Sequence, residues 1–135
     1  MRTLIARHAP YATLALTFIL AGCGTGGPAY GPSTPGVDAV VEMTSNLTFE
    51  PATVRVPVGG TVEWRNKSTF THTATADPGK DRKTSLPAGA LPFDSGNVAP
   101  GEVYRHVFTV AGRYDYSCLP HSWMGMTGTV IVAPR

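Results

Sequence analysis

The sequence predicts an all-β protein, a two-sheet β-sandwich with Greek-key connections, and three observations lead to this fold class. Short runs of alternating or β-branched apolar residues follow one another from residue 37 onward, with Gly, Pro and Asn between them. No stretch shows a sustained helical period. The chain of 135 residues also leaves no room for the crossover helices of an α/β fold. Six or seven short strands at this spacing are typical of a sandwich.

The first 22 residues are predicted to be a signal peptide that is removed from the mature protein. Arg2 and Arg7 give a positively charged start, and an apolar run follows from residue 9 to residue 20. This run is shorter than the ~20 residues that a membrane-spanning helix needs. The run LAGC at 20–23 resembles a bacterial lipobox. Cys23 is therefore the expected lipidation site, and the protein is expected to be exported and held at a membrane by this lipid.

Residues 23–36 are rich in Gly and Pro, so they are predicted to form a flexible tether, and the folded domain is expected to occupy residues 37–135. Without Arg2 and Arg7 the chain carries nine basic and nine acidic residues. A formally neutral domain without a basic run gives no indication of nucleic-acid binding. A monomer is expected.

Seven runs predict the strands of this domain. In chain order they are 37–44, 53–58, 61–65, 72–76, 103–110, 113–118 and 127–132. Gly59 and Gly60 form the turn between the second and third runs. Residues 77–96 are rich in Pro, Gly, Lys and Asp, so they are predicted to be a long connection between strands.

The strongest functional signal begins at the end of the sixth run, where Cys118, His121, Met124 and Met126 occur within nine residues. A thiolate, an imidazole and a thioether together suit copper in both of its oxidation states. The second imidazole of such a site must come from elsewhere in the chain. His72 is the leading candidate, because it follows a polar loop at the end of an earlier strand. These residues predict a copper site built from two loops.

Other histidines and other uses of the cysteines are weaker candidates. His106 lies in an alternating run, where a solvent-facing position on a strand explains it without a metal. A disulfide between Cys23 and Cys118 is the rival use of the two cysteines, since an exported protein meets oxidising conditions. A lipidated Cys23 would instead leave Cys118 as a lone thiol, and a bound metal would account for it.

The domain resembles the small cupredoxins of the plastocyanin and amicyanin family over nearly all of residues 37–134. The resemblance is carried by the runs LTFEPATVRV at 47–56, GGTVEW at 59–64 and CLPH at 118–121, and by the loop from Asn66 to His72. It implies His72, Cys118 and His121 as equatorial copper ligands. Met126 is implied as the axial ligand, because TGTV follows it as in plastocyanin-like members. Met124 stands at the offset used by amicyanin-like members, so both methionines remain candidates.

The resemblance also implies a function, a single type 1 copper site that carries one electron at a time between redox proteins. A backbone donor near Thr73 is expected to hydrogen-bond the Cys118 sulfur. Pro120, Trp123 and Met124 are expected to form an apolar patch near His121, where the electron donor and acceptor dock. Copper enzymes with additional metal sites are excluded, because the chain lacks the further histidines that they need. Copper storage or delivery is the alternative function, and a zinc site from the same residues would be redox-silent.

Overall fold

The computed structural model describes residues 34–134. Within them the chain forms nine β-strands and one short 3₁₀ helix. The strands are β1 (Ala39–Met43), β2 (Phe49–Glu50), β3 (Thr53–Pro57), β4 (Gly60–Asn66), β5 (Thr75–Ala76), β6 (Phe93–Asp94), β7 (Val103–Phe108), β8 (Gly112–Ser117) and β9 (Thr127–Ala133). The 3₁₀ helix, Leu119–Met124, lies between β8 and β9. The predicted signal peptide, Cys23 and most of the predicted tether lie outside the described residues.

The strands form two mixed sheets, and this confirms the predicted all-β sandwich. One sheet has the order β2-β1-β4-β7 and the other has the order β3-β9-β8-β5-β6. Two pairs of strands are parallel, β1 with β4 and β3 with β9, and the remaining pairs are antiparallel. Strands that follow one another in the chain often lie in different sheets, as β2, β3 and β4 do, so the chain crosses repeatedly from one layer to the other.

Alternation of apolar and polar residues explains why the longer strands form where they do. In β3, Val54 and Val56 are buried, while the residues on either side of each are exposed. In β9, Val130 and Val132 are buried and face the same interior. The core between the sheets combines valine side chains with a cluster of aromatic rings. Trp64 packs edge-on against Tyr116 with ring centroids 5.3 Å apart, and Phe49 meets Tyr116 at 4.7 Å.

The structure departs from the sequence prediction at three places. Two strands of two residues, β2 and β6, were not predicted, and β6 lies inside the connection 77–96. The predicted strand 72–76 is reduced to β5 and to an isolated bridge between His72 and Val98. The prediction of a solvent-facing His106 was wrong, because its ring is half-buried and stacks on Phe93 with centroids 4.5 Å apart. Val107 is the exposed neighbour instead.

Candidate metal centre

Three of the predicted ligand side chains converge at one end of the sandwich. Nδ1 of His72 lies 3.2 Å from Nδ1 of His121, and the Cys118 sulfur lies 3.5 Å from the first nitrogen and 3.3 Å from the second. Among residues 34–134, these three are the group of His, Cys and acidic side chains whose donor atoms lie close enough to hold a metal ion. The sequence separated His72 from Cys118 by 45 residues, and the fold closes that gap.

The size of this triangle fits a first-row transition metal. By plane geometry its centre lies about 1.9 Å from each donor atom, close to the ~2.0–2.3 Å lengths that imidazole nitrogen and thiolate sulfur adopt around such a metal. Two imidazoles and one thiolate in a trigonal arrangement are the equatorial set of a blue-copper site. The donor atoms present therefore fit copper in both number and chemical type.

The loop that carries His72 is shaped by the buried side chain of Asn66, at the end of β4. Its Nδ2 donates to the carbonyls of Phe70 and Val98, at 2.7 Å and 2.8 Å. Its Oδ1 accepts from the backbone and the hydroxyl of Ser68. His72 then pairs with Val98 through two backbone hydrogen bonds. These contacts fix the position of His72 from both sides of the loop.

The second loop contains the short 3₁₀ helix Leu119–Met124, which has a recognisable start and end signal. Pro120 lies in its first turn, where a missing N–H costs nothing. Gly125 ends it with a φ of 92°, a conformation that glycine adopts without a Cβ penalty. The backbone N–H of His121 donates to Cys118, and that of Cys118 donates to Met126. These backbone hydrogen bonds therefore link Cys118, His121 and Met126 to one another within the loop.

Thr73 joins the two loops. Its backbone N–H donates to the Cys118 sulfur at 3.3 Å, as predicted from the sequence. Its hydroxyl oxygen accepts a hydrogen bond from the backbone N–H of Leu119 at 2.9 Å. A hydrogen bond to a thiolate stabilises the charged form, and it restrains the sulfur near the metal position.

Burial sets the protonation of the candidate ligands. The pKa of His72 is lowered, first because burial disfavours the imidazolium ion and second because His121 lies beside it. Burial raises the pKa of the Cys118 thiol, and the N–H groups of Thr73 and His121 act in the opposite direction. The neutral imidazole is the form that binds metal, and the thiol must lose its proton when it does.

The two methionines differ sharply in exposure. Met126 is fully buried, whereas Met124 is 52% exposed. Met126 is also tied to two candidate ligands, since its carbonyl accepts from Cys118 and its N–H donates to His121. A thioether that is to contact a buried ion has to leave solvent, and Met126 meets that condition.

The candidate ligands do not reach the surface equally. His72 and Cys118 are fully buried, while the ring of His121 is partly exposed. The two loops that carry the ligands also carry exposed apolar side chains, with Phe70 at 49%, Trp123 at 78% and Met124 at 52%. The Phe70 and His121 rings lie 6.4 Å apart. Pro120 is exposed as well. We call Phe70, Pro120, Trp123 and Met124 the apolar rim.

Some residues at the site were not identified from the sequence. Asn66, which shapes the His72 loop, was predicted only through the resemblance to the cupredoxin family. Asp81 and Lys83 lie in the connection 77–96, which sequence reasoning treated as a loop without a role. Their side chains contact the ligand loop at Ser117 and Ser122. No local sequence pattern predicts these contacts, because they join positions 36 to 41 residues apart.

The chain is similar to known copper proteins in sequence. The family described as copper binding proteins of the plastocyanin/azurin type matches residues 36–133. Chloroplastic plastocyanin of Tetradesmus obliquus is 43% identical over 90 residues, which cover 64% of this chain and 59% of that protein. Halocyanin of Natronomonas pharaonis is 35% identical over 102 residues, which cover 72% of this chain and 58% of that protein. The matches therefore span less than two thirds of the length of these two relatives.

The fold is similar to a solved amicyanin as well. A reduced amicyanin variant superposes with a TM-score of 0.60 at 28% sequence identity, covering 75% of this chain and 86% of the amicyanin chain. Proteins of this kind are electron carriers with one type 1 copper ion, not enzymes, and the donor set described above agrees with that cofactor. The predicted copper cofactor and fold are thus confirmed. The chain belongs to the plastocyanin/azurin family of copper-binding proteins.

Proposed function

We propose that this protein is a lipid-anchored blue-copper carrier that shuttles single electrons between redox proteins at the extracytoplasmic face of a membrane. The copper ligands in this proposal are His72, Cys118, His121 and Met126. The observation that carries the proposal is the convergence of one sulfur and two imidazole nitrogens within 3.5 Å of one another.

When copper is bound, it supplies a one-electron Cu(II)/Cu(I) couple. The protein's own part is to keep the donor atoms in place while the charge at the site changes. His72 is held by Asn66 and Val98 through their loop, and the Cys118 sulfur is held by Thr73. Both loops are anchored to a closely packed sandwich. We therefore expect the donor atoms to move little between the oxidised and reduced forms of the site, which is the condition for rapid electron transfer.

Met126 is proposed as the axial ligand in preference to Met124. Its burial and its hydrogen bonds to His121 and Cys118 support this choice. The exposed Met124 then belongs to the apolar rim.

The apolar rim is proposed as the docking surface for the electron donor and acceptor. Its members lie in the same two loops as the ligands, and Phe70 lies beside the partly exposed His121, so a docked partner is brought close to the site. An exposed patch of this kind marks an interaction surface more often than a packing feature. Replacing Trp123 with Ala is expected to lower the bimolecular rate of reduction by a physiological partner; an unchanged rate would contradict docking at the rim.

Attachment to the membrane rests on the sequence alone, through the lipobox-like run that ends at Cys23. Among residues 34–134 no helix is long and apolar enough to cross a bilayer. A Cys23→Ser variant expressed in the native host is expected to leave the membrane fraction. Retention of that variant on membranes would contradict a lipid anchor at Cys23.

Copper storage or delivery is the second candidate function. It requires ligands that exchange readily with a recipient. Full burial of His72, Cys118 and Met126 favours a site that keeps its ion, and thus favours the electron carrier.

The central test is spectroscopic. The protein loaded with Cu(II) is expected to show intense blue absorption from thiolate-to-copper charge transfer, and a Cys118→Ser variant is expected to lose it. A His106→Gln variant is the matched control, because it alters a half-buried histidine outside the site and is expected to keep the blue colour. Absence of the blue band in the unaltered protein, or its survival in Cys118→Ser, would refute the proposed function.

A further inference from the structure

A carboxylate from outside the candidate ligand set connects both ends of the Cys118–His121 segment. Oδ2 of Asp81 accepts a hydrogen bond from the hydroxyl of Ser117 at 2.6 Å and another from the hydroxyl of Ser122. Ser117 directly precedes Cys118, and Ser122 directly follows His121. One oxygen atom therefore bridges the two positions that flank this part of the ligand loop.

Asp81 is itself fixed by its surroundings. Its other carboxylate oxygen, Oδ1, accepts from the backbone N–H of Lys83 at 3.0 Å. Its carbonyl accepts from the buried Thr84, whose hydroxyl lies 2.8 Å away. The ammonium group of Lys83 donates to the carbonyl of Ser122, which adds a second link between the same two segments. The connection 77–96 thus holds the carboxylate against the ligand loop through several hydrogen bonds.

The charge state of Asp81 suits this role. Burial alone would raise the pKa of the carboxyl group, but the hydrogen bonds from Ser117 and Ser122 and the charge of Lys83 outweigh it and lower the pKa. The group is therefore ionised near neutral pH, and hydrogen bonds to an ionised acceptor are stronger than those between neutral groups.

The ligand loop has few stabilising interactions of its own, so the hydrogen bonds to Asp81 matter for its position. Its regular part is a 3₁₀ helix of six residues, and 3₁₀ turns have poor hydrogen-bond geometry and little stability of their own. Ser122 is the one buried residue of that helix. The rest of the helix is partly or fully exposed, so packing contributes little to its position.

We infer that Asp81 is a positioning residue, which holds the Cys118–His121 segment in its metal-binding geometry before copper arrives and restrains it afterwards. The inference rests on the ligand set proposed above. This is preorganisation: the loop becomes ordered when the protein folds, so the binding of the metal does not have to supply the free energy for ordering it. The rival explanation is that Asp81 merely fastens the connection 77–96 to the sandwich.

Amide hydrogen exchange in the metal-free protein separates these two explanations. The reporters are the amides of Gly125 and Met126, which donate to the carbonyls of Ser122 and His121. In Asp81→Ala we expect exchange at both to accelerate by about tenfold or more, because the loop opens locally. Amides of β4 and β9 are expected to exchange as in the unaltered protein.

Two further variants calibrate this result. Asp81→Asn keeps an oxygen acceptor at the same place, so it is expected to recover at least half of the difference. Asp77→Ala is the matched control from the same connection, since that carboxylate accepts a hydrogen bond from Gly79 and has none with the ligand loop. It is expected to leave exchange at Gly125 and Met126 unchanged.

The copper-loaded variants supply a second readout. Asp81→Ala is expected to shift the thiolate-to-copper band and the reduction potential, while Asp77→Ala leaves both unchanged.

Unchanged loop exchange in Asp81→Ala, or equal acceleration in the loop and in β4 and β9, would overturn the inference. If Asp81→Ala does not fold, Ser122→Ala removes one of the two links, and the same comparison applies to it. Absence of the blue band in the copper-loaded unaltered protein would refute the proposed function. The exchange experiment on the metal-free protein does not depend on that outcome.

Discussion

At the scale of single residues, the donor atoms decide which ion the metal centre can bind. Cys118, His121 and the two methionines lie within nine positions, and few other functions require that combination of donor types. His72 could be added from the sequence because imidazole was the donor type still missing. Asp81 could not, since an aspartate in a polar loop is ordinarily solvated, and only the folded chain brings it to Ser117 and Ser122.

The axial ligand is a prediction at this same scale. Replacing Met126 with Leu removes the thioether but keeps an apolar side chain of similar volume, so the fold should persist. We expect the reduction potential and the blue absorption spectrum to shift, because the axial ligand tunes both. Visible absorption and voltammetry of the copper-loaded protein measure the two quantities.

Met124→Leu is the control for this change, as it alters an exposed thioether in the same loop. Its spectrum and potential are expected to match those of the unaltered protein. A shift in Met124→Leu without one in Met126→Leu would assign the axial position to Met124.

At the scale of elements, alternation predicts the long strands and fails for the short ones. Strands β3, β4, β7, β8 and β9 lie within about two residues of their predicted bounds. Strands β2 and β6 have two residues each, too few to show any period. They exist because neighbouring backbone in β1 and β5 offers them hydrogen bonds, which is a tertiary cause.

The pairing of β8 with β9 contains a close contact that leads to a second prediction. Tyr116 lies opposite Gly128, and a Cβ on Gly128 would come within 2.4 Å of the Tyr116 ring. That ring is fully buried between Phe49 and Trp64, so it has little room to move. Gly128→Ala is therefore expected to lower the free energy of unfolding by about 1–3 kcal/mol, the usual cost of overpacking a core.

Denaturant unfolding of the purified protein measures this loss. Gly79→Ala serves for comparison, because the nearest atom to its added Cβ is a carboxylate oxygen at the end of the Asp77 side chain, in an exposed loop. That change is expected to cost less than about 0.5 kcal/mol. If Gly128→Ala and the unaltered protein have the same free energy of unfolding, the prediction is wrong, and strands β8 and β9 can shift to accommodate the added Cβ.

At the scale of the whole molecule, the side of the sandwich near β6 and β7 is closed by aromatic rings. Phe93 of β6 stacks on His106 of β7, whose ring also meets Phe108 edge-on with centroids 4.8 Å apart. Burial lowers the pKa of His106, so the folded protein prefers the neutral ring. The sequence placed this histidine on the outside, because alternation in β7 does not say which of its two faces is covered.

Stability should therefore depend on pH through His106. Its pKa in the unfolded chain is about 6.5 and its folded value is lower, so the unfolded chain binds more protons between the two values. The free energy of unfolding is expected to fall as the pH drops below about 6.5 and to be fully regained above it. Denaturant unfolding at several pH values measures the slope.

His106→Phe keeps an aromatic ring in the stack and cannot be protonated. The difference between this variant and the unaltered protein isolates His106 from His72, whose pKa is lowered as well. We expect a smaller loss of stability in acid for the variant. Identical pH profiles for the two proteins would show that His106 does not contribute.

Of the four proposed ligands, all within residues 34–134, His121 alone reaches solvent. In the proposed function, electrons that arrive and electrons that leave therefore pass through the same imidazole. If both partners dock on the apolar rim as proposed, donor and acceptor compete for a single place on the carrier, so the first must dissociate before the second can bind. Tight binding to either one would slow every cycle. This geometry favours brief, weak encounters with high dissociation rates. A high affinity for either partner would therefore limit the rate of turnover.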